Sequence, residues 1–204
     1  MKIGLSGNRF SGKTVISKIF KQMGVPVFHA DVVLKFILTH NLDVISEIKR
    51  KYGNDLYDEK ENINISEINR LGSSNFFDKI IDVADFELRK SYEKFQLDNI
   101  ESVYTIFNSS ILFERGWNTY MDYNINIFCI KKERVRRGSI KTGLKSSRIY
   151  DILSDEMDDM SKNRLSEFIL NNYCDKSSDI FNQMNDLDKR IVDMSLNGVH
   201  LLLF

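Results

Sequence analysis

Eight residues near the amino terminus, Gly7-Asn8-Arg9-Phe10-Ser11-Gly12-Lys13-Thr14, have the types and spacing to hold a triphosphate. They match Gly-x-x-x-x-Gly-Lys-Thr in full, the pattern of a phosphate-binding loop. A triphosphate concentrates several negative charges. Successive backbone N–H groups in a tight concave loop reach its oxygens without side chains in the way. Gly7 and Gly12 give the freedom and close approach that such curvature needs. A helix starting at Lys13 turns its positive end toward the phosphates. Lys13 then reaches the β and γ oxygens as a point charge, and the Thr14 hydroxyl ligates Mg²⁺. The pattern predicts binding of ATP or GTP.

The flanking segments are those such a loop requires. Lys2 to Ser6 reads as a short strand broken at Gly7. Val15, Ile16, Ile19, Phe20 and Met23 recur at helical spacing until Gly24 stops them. Val25-Pro-Val-Phe28 is a second strand candidate, with Pro26 at its start. Strand, glycine loop, helix and strand open a parallel α/β sheet. Asp31 to Tyr52 is helical with a break near Asn41, and Gly53 to Ser66 is a loop or small hairpin. Phe76 to Ile100 is a long helix. Val103 to Phe107, Asn124 to Ile130 and Glu167 to Leu170 are short apolar segments, the first two read as buried strands. Ser178 to Met194 is a closing helix, and Val199 to Phe204 a last strand or a packed apolar tail.

Composition narrows the function classes. Lys plus Arg and Asp plus Glu are both 29, so no global basicity points to nucleic acid. No apolar run is long enough to span a bilayer, and the motif begins too early to leave room for a signal peptide. Cys129 and Cys174 form no Cys-x-x-Cys unit and read as free thiols of a cytoplasmic protein. Cys129, in Ile125-Asn-Ile-Phe-Cys-Ile130, packs as a small hydrophobe.

Extended on both sides, the loop reads Gly4-Leu-Ser-Gly7 before the motif, and Gly24-Val-Pro-Val-Phe-His-Ala-Asp31 after its helix. In this the chain resembles the dephospho-CoA kinase family. Tyr52-Gly-Asn-Asp-Leu56, Ile111-Leu-Phe-Glu114, Glu133-Arg-Val135, Ser147-Arg-Ile149 and Leu170-Asn-Asn172 are similar to later family segments. The resemblance implies a three-layer α/β/α P-loop kinase fold, with a parallel sheet, a helical acceptor-binding part and a lid. On that reading residues 1–204 form one domain: a nucleotide core at about 1–30, 103–130 and 165–204, an acceptor part at 31–102 and a lid at 131–164. It also implies ATP as donor, Mg²⁺ as metal, and a small acceptor, dephospho-CoA, phosphorylated on its ribose 3′-hydroxyl.

The resemblance assigns Asp31 as the base or orienter of the attacking hydroxyl. A carboxylate just past the carboxyl end of a strand faces the crevice where such sheets bind ligands. Asp31 is also a suitable N-cap for a helix starting at Val32. Lys131 to Arg148 holds eight basic residues against one acidic residue, and it follows a strand where a kinase lid would leave the sheet. Lid arginines meet charge on the transferring phosphoryl once the site closes. Arg134 and Arg137 are the leading pair, Arg148 and Asn172 follow from the family pattern, and Lys141 is a further candidate. The alternatives are a solvated helix face or a nucleic-acid patch; the second lacks interleaved aromatics. The acidic run Asp151 to Asp159 pairs with this segment or faces water.

Departures gather on the acceptor side. His29 replaces an aspartate, Ile65 an arginine, and Ala84-Asp85 a His-Pro pair, while Ser110 stands where the family has proline. A nucleoside monophosphate kinase, as in some viral relatives of this architecture, and a non-catalytic nucleotide-binding protein therefore remain alternatives. Trp117 and Tyr120 could stack on an acceptor ring or serve as core or cover. His40 and His200 have no partner visible in sequence.

Overall fold

Alternation in β1, Lys2–Ser6, sends Ile3 and Leu5 to one face of a sheet and Gly4 and Ser6 to the other. Ile3 and Leu5 enter a buried apolar cluster with Ile106, Ile125 and Ile127 from neighbouring strands. The other strands are β2 (Val27–His29), β3 (Thr105–Asn108), β4 (Tyr123–Phe128) and β5 (Phe168–Asn171). They form a parallel sheet in the order β2-β3-β1-β4-β5. β1 lies between β3 and β4, with Leu5 opposite Asn108 and Ser6 opposite Asn126. The loop that leaves β1 thus starts from the middle of the sheet.

Two helices cover the apolar face. In α1, Lys13–Gln22, the residues Ile16, Ile19 and Phe20 pack inward. The final helix, Ser177–Leu201, adds Ile180, Met184, Leu187 and Ile191 at the same helical spacing. The Tyr104 hydroxyl donates to Asp188 of that helix. Burial, and then the Asp188 carboxylate, push this phenol far above its ordinary range. The final helix runs through Leu201, so Val199 to Leu201 are helical where a strand was one expectation, and Leu202 to Phe204 lie outside the described residues.

The computed structural model describes residues 1–58, 63, 74–172 and 177–201. Ile65 and Cys174 lie outside them. The chain divides into two units, Met1–Phe28 with Asn99–Phe204, and His29–Asp98. The second unit contains α2 (Ala30–His40), α3 (Leu42–Tyr52) and α4 (Ser74–Asp98). The break at Asn41 has a local cause: its side-chain oxygen accepts the Asp43 and Val44 N–H groups, both at 3.1 Å, as an N-cap. Among the described residues, the expected loop after Gly53 contains a 3₁₀ turn, Asn54–Leu56, and an isolated antiparallel bridge from Tyr57 to Ile63.

Between β4 and β5 lie α5 (Lys131–Thr142), α6 (Ser146–Ile152) and α7 (Asp159–Arg164). α8 denotes the final helix, Ser177–Leu201. Among the described residues, no helix is long and apolar enough to cross a membrane.

Candidate active site

The two loop glycines answer different demands. Gly7 is buried, and a Cβ there would lie 2.6 Å from Ser11 Oγ and 3.0 Å from Ile127 Cβ, so it permits close approach. Gly12 has φ 102°, and a Cβ there would lie 2.1 Å from Asn172 Nδ2. Gly12→Ala therefore combines left-handed strain with a clash against a residue that anchors the loop. We expect ATP affinity to fall at least about tenfold, measurable by calorimetry, since that strain alone costs about 1–2 kcal/mol.

Several loop carbonyls are held from outside. The Ser11 carbonyl accepts from Asn172 Nδ2 at 2.7 Å and from Arg137 Nη1 at 3.4 Å. The Arg9 carbonyl accepts from Arg134 Nη1 at 3.4 Å, and the Asn8 carbonyl from Ser11 N–H at 3.1 Å. In a trans peptide the carbonyl and the next N–H point opposite ways. The Phe10 and Gly12 N–H groups are accordingly directed away from Arg134, Arg137 and Asn172. Such a run of N–H groups at a helix start binds anions. Lys13, half-buried, and Thr14, exposed, begin α1.

α5 packs directly on the loop. Phe10 adopts φ 63°, unusual for a residue with a side chain. Its ring packs against the small apolar cluster of Val135, Ile149 and Leu153. Gly138 makes room for it: a Cβ at 138 would sit 2.8 Å from the Phe10 ring. Burial of that aromatic surface offsets the backbone cost.

The basic residues of this segment separate into three environments. Arg137 keeps partial exposure, donates through Nε to Glu133 at 2.7 Å, and reaches the Ser11 carbonyl. Glu133 also accepts two bonds from Arg136, both at 2.7 Å. The Arg136 bonds first, and those of Arg137 after them, hold the Glu133 carboxyl down to about 2, against a burial effect of opposite sign. Arg134 is only 3% exposed. Its Nε donates to the Cys129 carbonyl, Nη1 to Glu156 at 2.6 Å, and Nη2 to Asp159 at 3.1 Å. Arg148 is exposed and sits 3.8 Å from Asp151, and Lys141 is likewise exposed. The structure thus brings Arg134, Arg137 and Asn172 to the loop, with the Arg134 guanidinium already engaged by two carboxylates.

Asn8 and Arg9 are tied to the acidic segment that follows α6. Asn8 Nδ2 donates to the Met157 carbonyl and to Asp159, and Arg9 N–H donates to Glu156 at 2.7 Å. The Arg9 side chain reaches the Ile152 carbonyl at 3.2 Å. Sequence reasoning gave Glu156, Asp159 and Glu133 no individual role; their proximity to a basic run was the available signal. It also passed over Lys162, which is 1% exposed and pairs with Glu114 at 2.7 Å and the Ser110 carbonyl at 3.2 Å. That pair ties α7 to the segment after β3.

Other candidates resolve simply. Trp117 is buried against Phe107 at 5.7 Å between ring centroids, whereas Tyr120 is exposed. His40 stacks on Phe36 at 4.5 Å. Cys129 is buried, and burial raises its thiol pKa, in keeping with a packing role. Ala84 is fully buried in α4, while Asp85 pairs with Arg89 at 2.6 Å. Asp31 lies in the first turn of α2, which starts at Ala30 with His29 at the cap position. The cap expected of Asp31 is thus not formed, because the helix begins directly at the end of β2.

Residues 1–178 match the family model for dephospho-CoA kinase. The chain is 25% identical over 179 residues to a dephospho-CoA kinase of Clostridium tetani, covering 84% of this chain and 78% of that one. It is 26% identical over 198 residues to one from Rickettsia felis, covering 96% of each. The dephospho-CoA kinase structure from Campylobacter jejuni superposes with a TM-score of 0.65 at 18% identity, over 95% of this chain and 98% of that one. With its phosphate loop on the middle strand of a parallel sheet, this chain belongs to the dephospho-CoA kinase family of P-loop phosphotransferases.

Proposed function

We propose that this chain transfers the γ-phosphoryl group of ATP to the ribose 3′-hydroxyl of dephospho-CoA, the closing step of coenzyme A synthesis, in the cytoplasm. The observation that supports this most is the Gly7 to Thr14 loop, braced by Asn172 and Arg137, in a chain that matches the family over residues 1–178. The loop N–H groups and Lys13 bind the triphosphate. Arg137 lies beside the loop and supplies charge to the equatorial oxygens of the group in transfer.

Thr14 fits a magnesium site. It stands exposed in the first turn of α1, and a magnesium ion at such a loop needs few protein ligands. Bound magnesium would neutralise charge shared between the β and γ phosphates. Asp31 orients the acceptor hydroxyl and takes its proton. Asp31→Asn is expected to lower kcat about 10²-fold with little change in ATP affinity, as general-base loss does. Turnover within a few-fold of the parent would remove Asp31 from the mechanism.

The departures at His29, Ala84 and Asp85 make the acceptor the point to test. A coupled ADP-release assay compares dephospho-CoA with ribo- and deoxyribonucleoside monophosphates. Release dependent on dephospho-CoA supports the proposal, and release only with a nucleotide replaces it with a nucleoside monophosphate kinase. ATP binding without turnover for any acceptor identifies a nucleotide-binding protein instead.

A further inference from the structure

Glu156 stands between the phosphate loop and a buried arginine. One carboxylate oxygen accepts the Arg9 N–H at 2.7 Å, and the other accepts Arg134 Nη1 at 2.6 Å. From Arg134 the connections continue through Nη2 to Asp159 and from Asp159 back to Asn8 Nδ2 at 2.9 Å. Asn8 and Arg9 are consecutive, so loop, Glu156, Arg134 and Asp159 close a ring. Asn8 and Arg134 are both nearly inaccessible to solvent.

The ring fixes both peptide groups flanking Arg9. Glu156 holds the Arg9 N–H, which sets the plane of the Asn8–Arg9 peptide. Arg134 Nη1 holds the Arg9 carbonyl at 3.4 Å, which sets the Arg9–Phe10 peptide. Because that peptide is planar and trans, the Phe10 N–H must point away from Arg134. Two carboxylates so close to a triphosphate site would repel the ligand if left bare. Arg134 offsets that charge, and its Nε and both Nη groups are engaged in doing so and in holding backbone carbonyls.

We infer that Glu156 is a positioning residue: with Arg134 and Asp159, it presets the outer turn of the loop so that the Phe10 N–H is offered to the β and γ phosphates. Arg134 then acts through the loop backbone, and direct charge on the phosphoryl group falls to Arg137. This inference rests on the Gly7 to Thr14 loop as the ATP site and is independent of which acceptor is used.

The test compares binding of ATP and AMP to the full chain and to Glu156→Gln and Glu156→Ala, with thermal melts as a check on folding. AMP has no β or γ phosphate and does not depend on the outer turn. Glu156→Ala is expected to weaken ATP about tenfold or more, the loss of a hydrogen bond to a charged group. Glu156→Gln keeps an acceptor for Arg9 N–H but sets an amide against Arg134, and should weaken ATP about threefold, roughly half as much in free energy. AMP affinity should stay within about twofold, below 0.5 kcal/mol. ATP affinity unchanged in both variants, or equal weakening of ATP and AMP, would overturn the inference. A parent chain that cannot phosphorylate dephospho-CoA, yet shows the ATP-selective loss in its variants, retains this inference and loses the acceptor assignment.

Discussion

Lys13→Ala is expected to reduce kcat/KM for phosphoryl transfer about 10³-fold or more, with little change in thermal stability. Lys13 is the first residue of α1 and follows Gly12, whose left-handed backbone turns the chain into the helix. Its charge adds to that of the α1 amino end, where the N–H groups of the first turn lack intrahelical acceptors. Arg134 and Arg148 cannot replace it: Arg134 is bound to Glu156 and Asp159, and Arg148 is paired at the surface. Steady-state kinetics with saturating acceptor will read the effect. Undiminished turnover in this variant would contradict the assigned loop chemistry.

Arg137→Ala should lower kcat about 10³-fold while raising the KM for ATP much less, because charge on the transferring group counts most in the transition state. Glu133 aims Arg137 by holding its Nε, which leaves Nη1 near the Ser11 carbonyl. Arg137→Lys should recover only a small part of the loss, since an ammonium cannot hold Glu133 and face the loop in the same planar fork. The arrangement also sets a pH expectation. Glu133 is held down to about 2 from an ordinary 4.5, so its contribution to stability is complete above the higher value. That contribution is lost as the pH falls toward the lower one. An acid limb in the kcat profile above pH 4.5 must therefore come from another group, and Glu133→Gln should leave such a limb in place. If removing Arg137 affected KM and kcat equally, its charge would serve binding alone.

The phosphate loop and its flanks were legible because their signals are local. Alternation marks β1, the fixed Gly-Lys-Thr marks the loop, and Ile16, Ile19 and Phe20 mark the buried stripe of α1. The different surroundings of Arg134 and Arg137 were not legible. Both are arginines in one helix, and only partners 22 and 25 residues further along the chain, Glu156 and Asp159, draw Arg134 inward. Phe10 occupies a position the motif leaves free, and its role depends on the space Gly138 leaves in α5. Asp31 was placed correctly just past a strand, but the cap offered as its second reading falls at His29, because helix starts shift by a residue or two without changing the pattern. The strand alternative at Val199 to Leu201 gave way to helix for a related reason: a short apolar run fits a strand or the last turn of a helix equally well.

The central claim is tested most directly by incubating the purified chain with ATP, magnesium and dephospho-CoA and identifying the product by mass spectrometry. The predicted result is ADP formed one for one with a product one phosphoryl group heavier, modified at the ribose 3′-hydroxyl. A folded, ATP-binding chain that leaves dephospho-CoA unmodified would contradict the account.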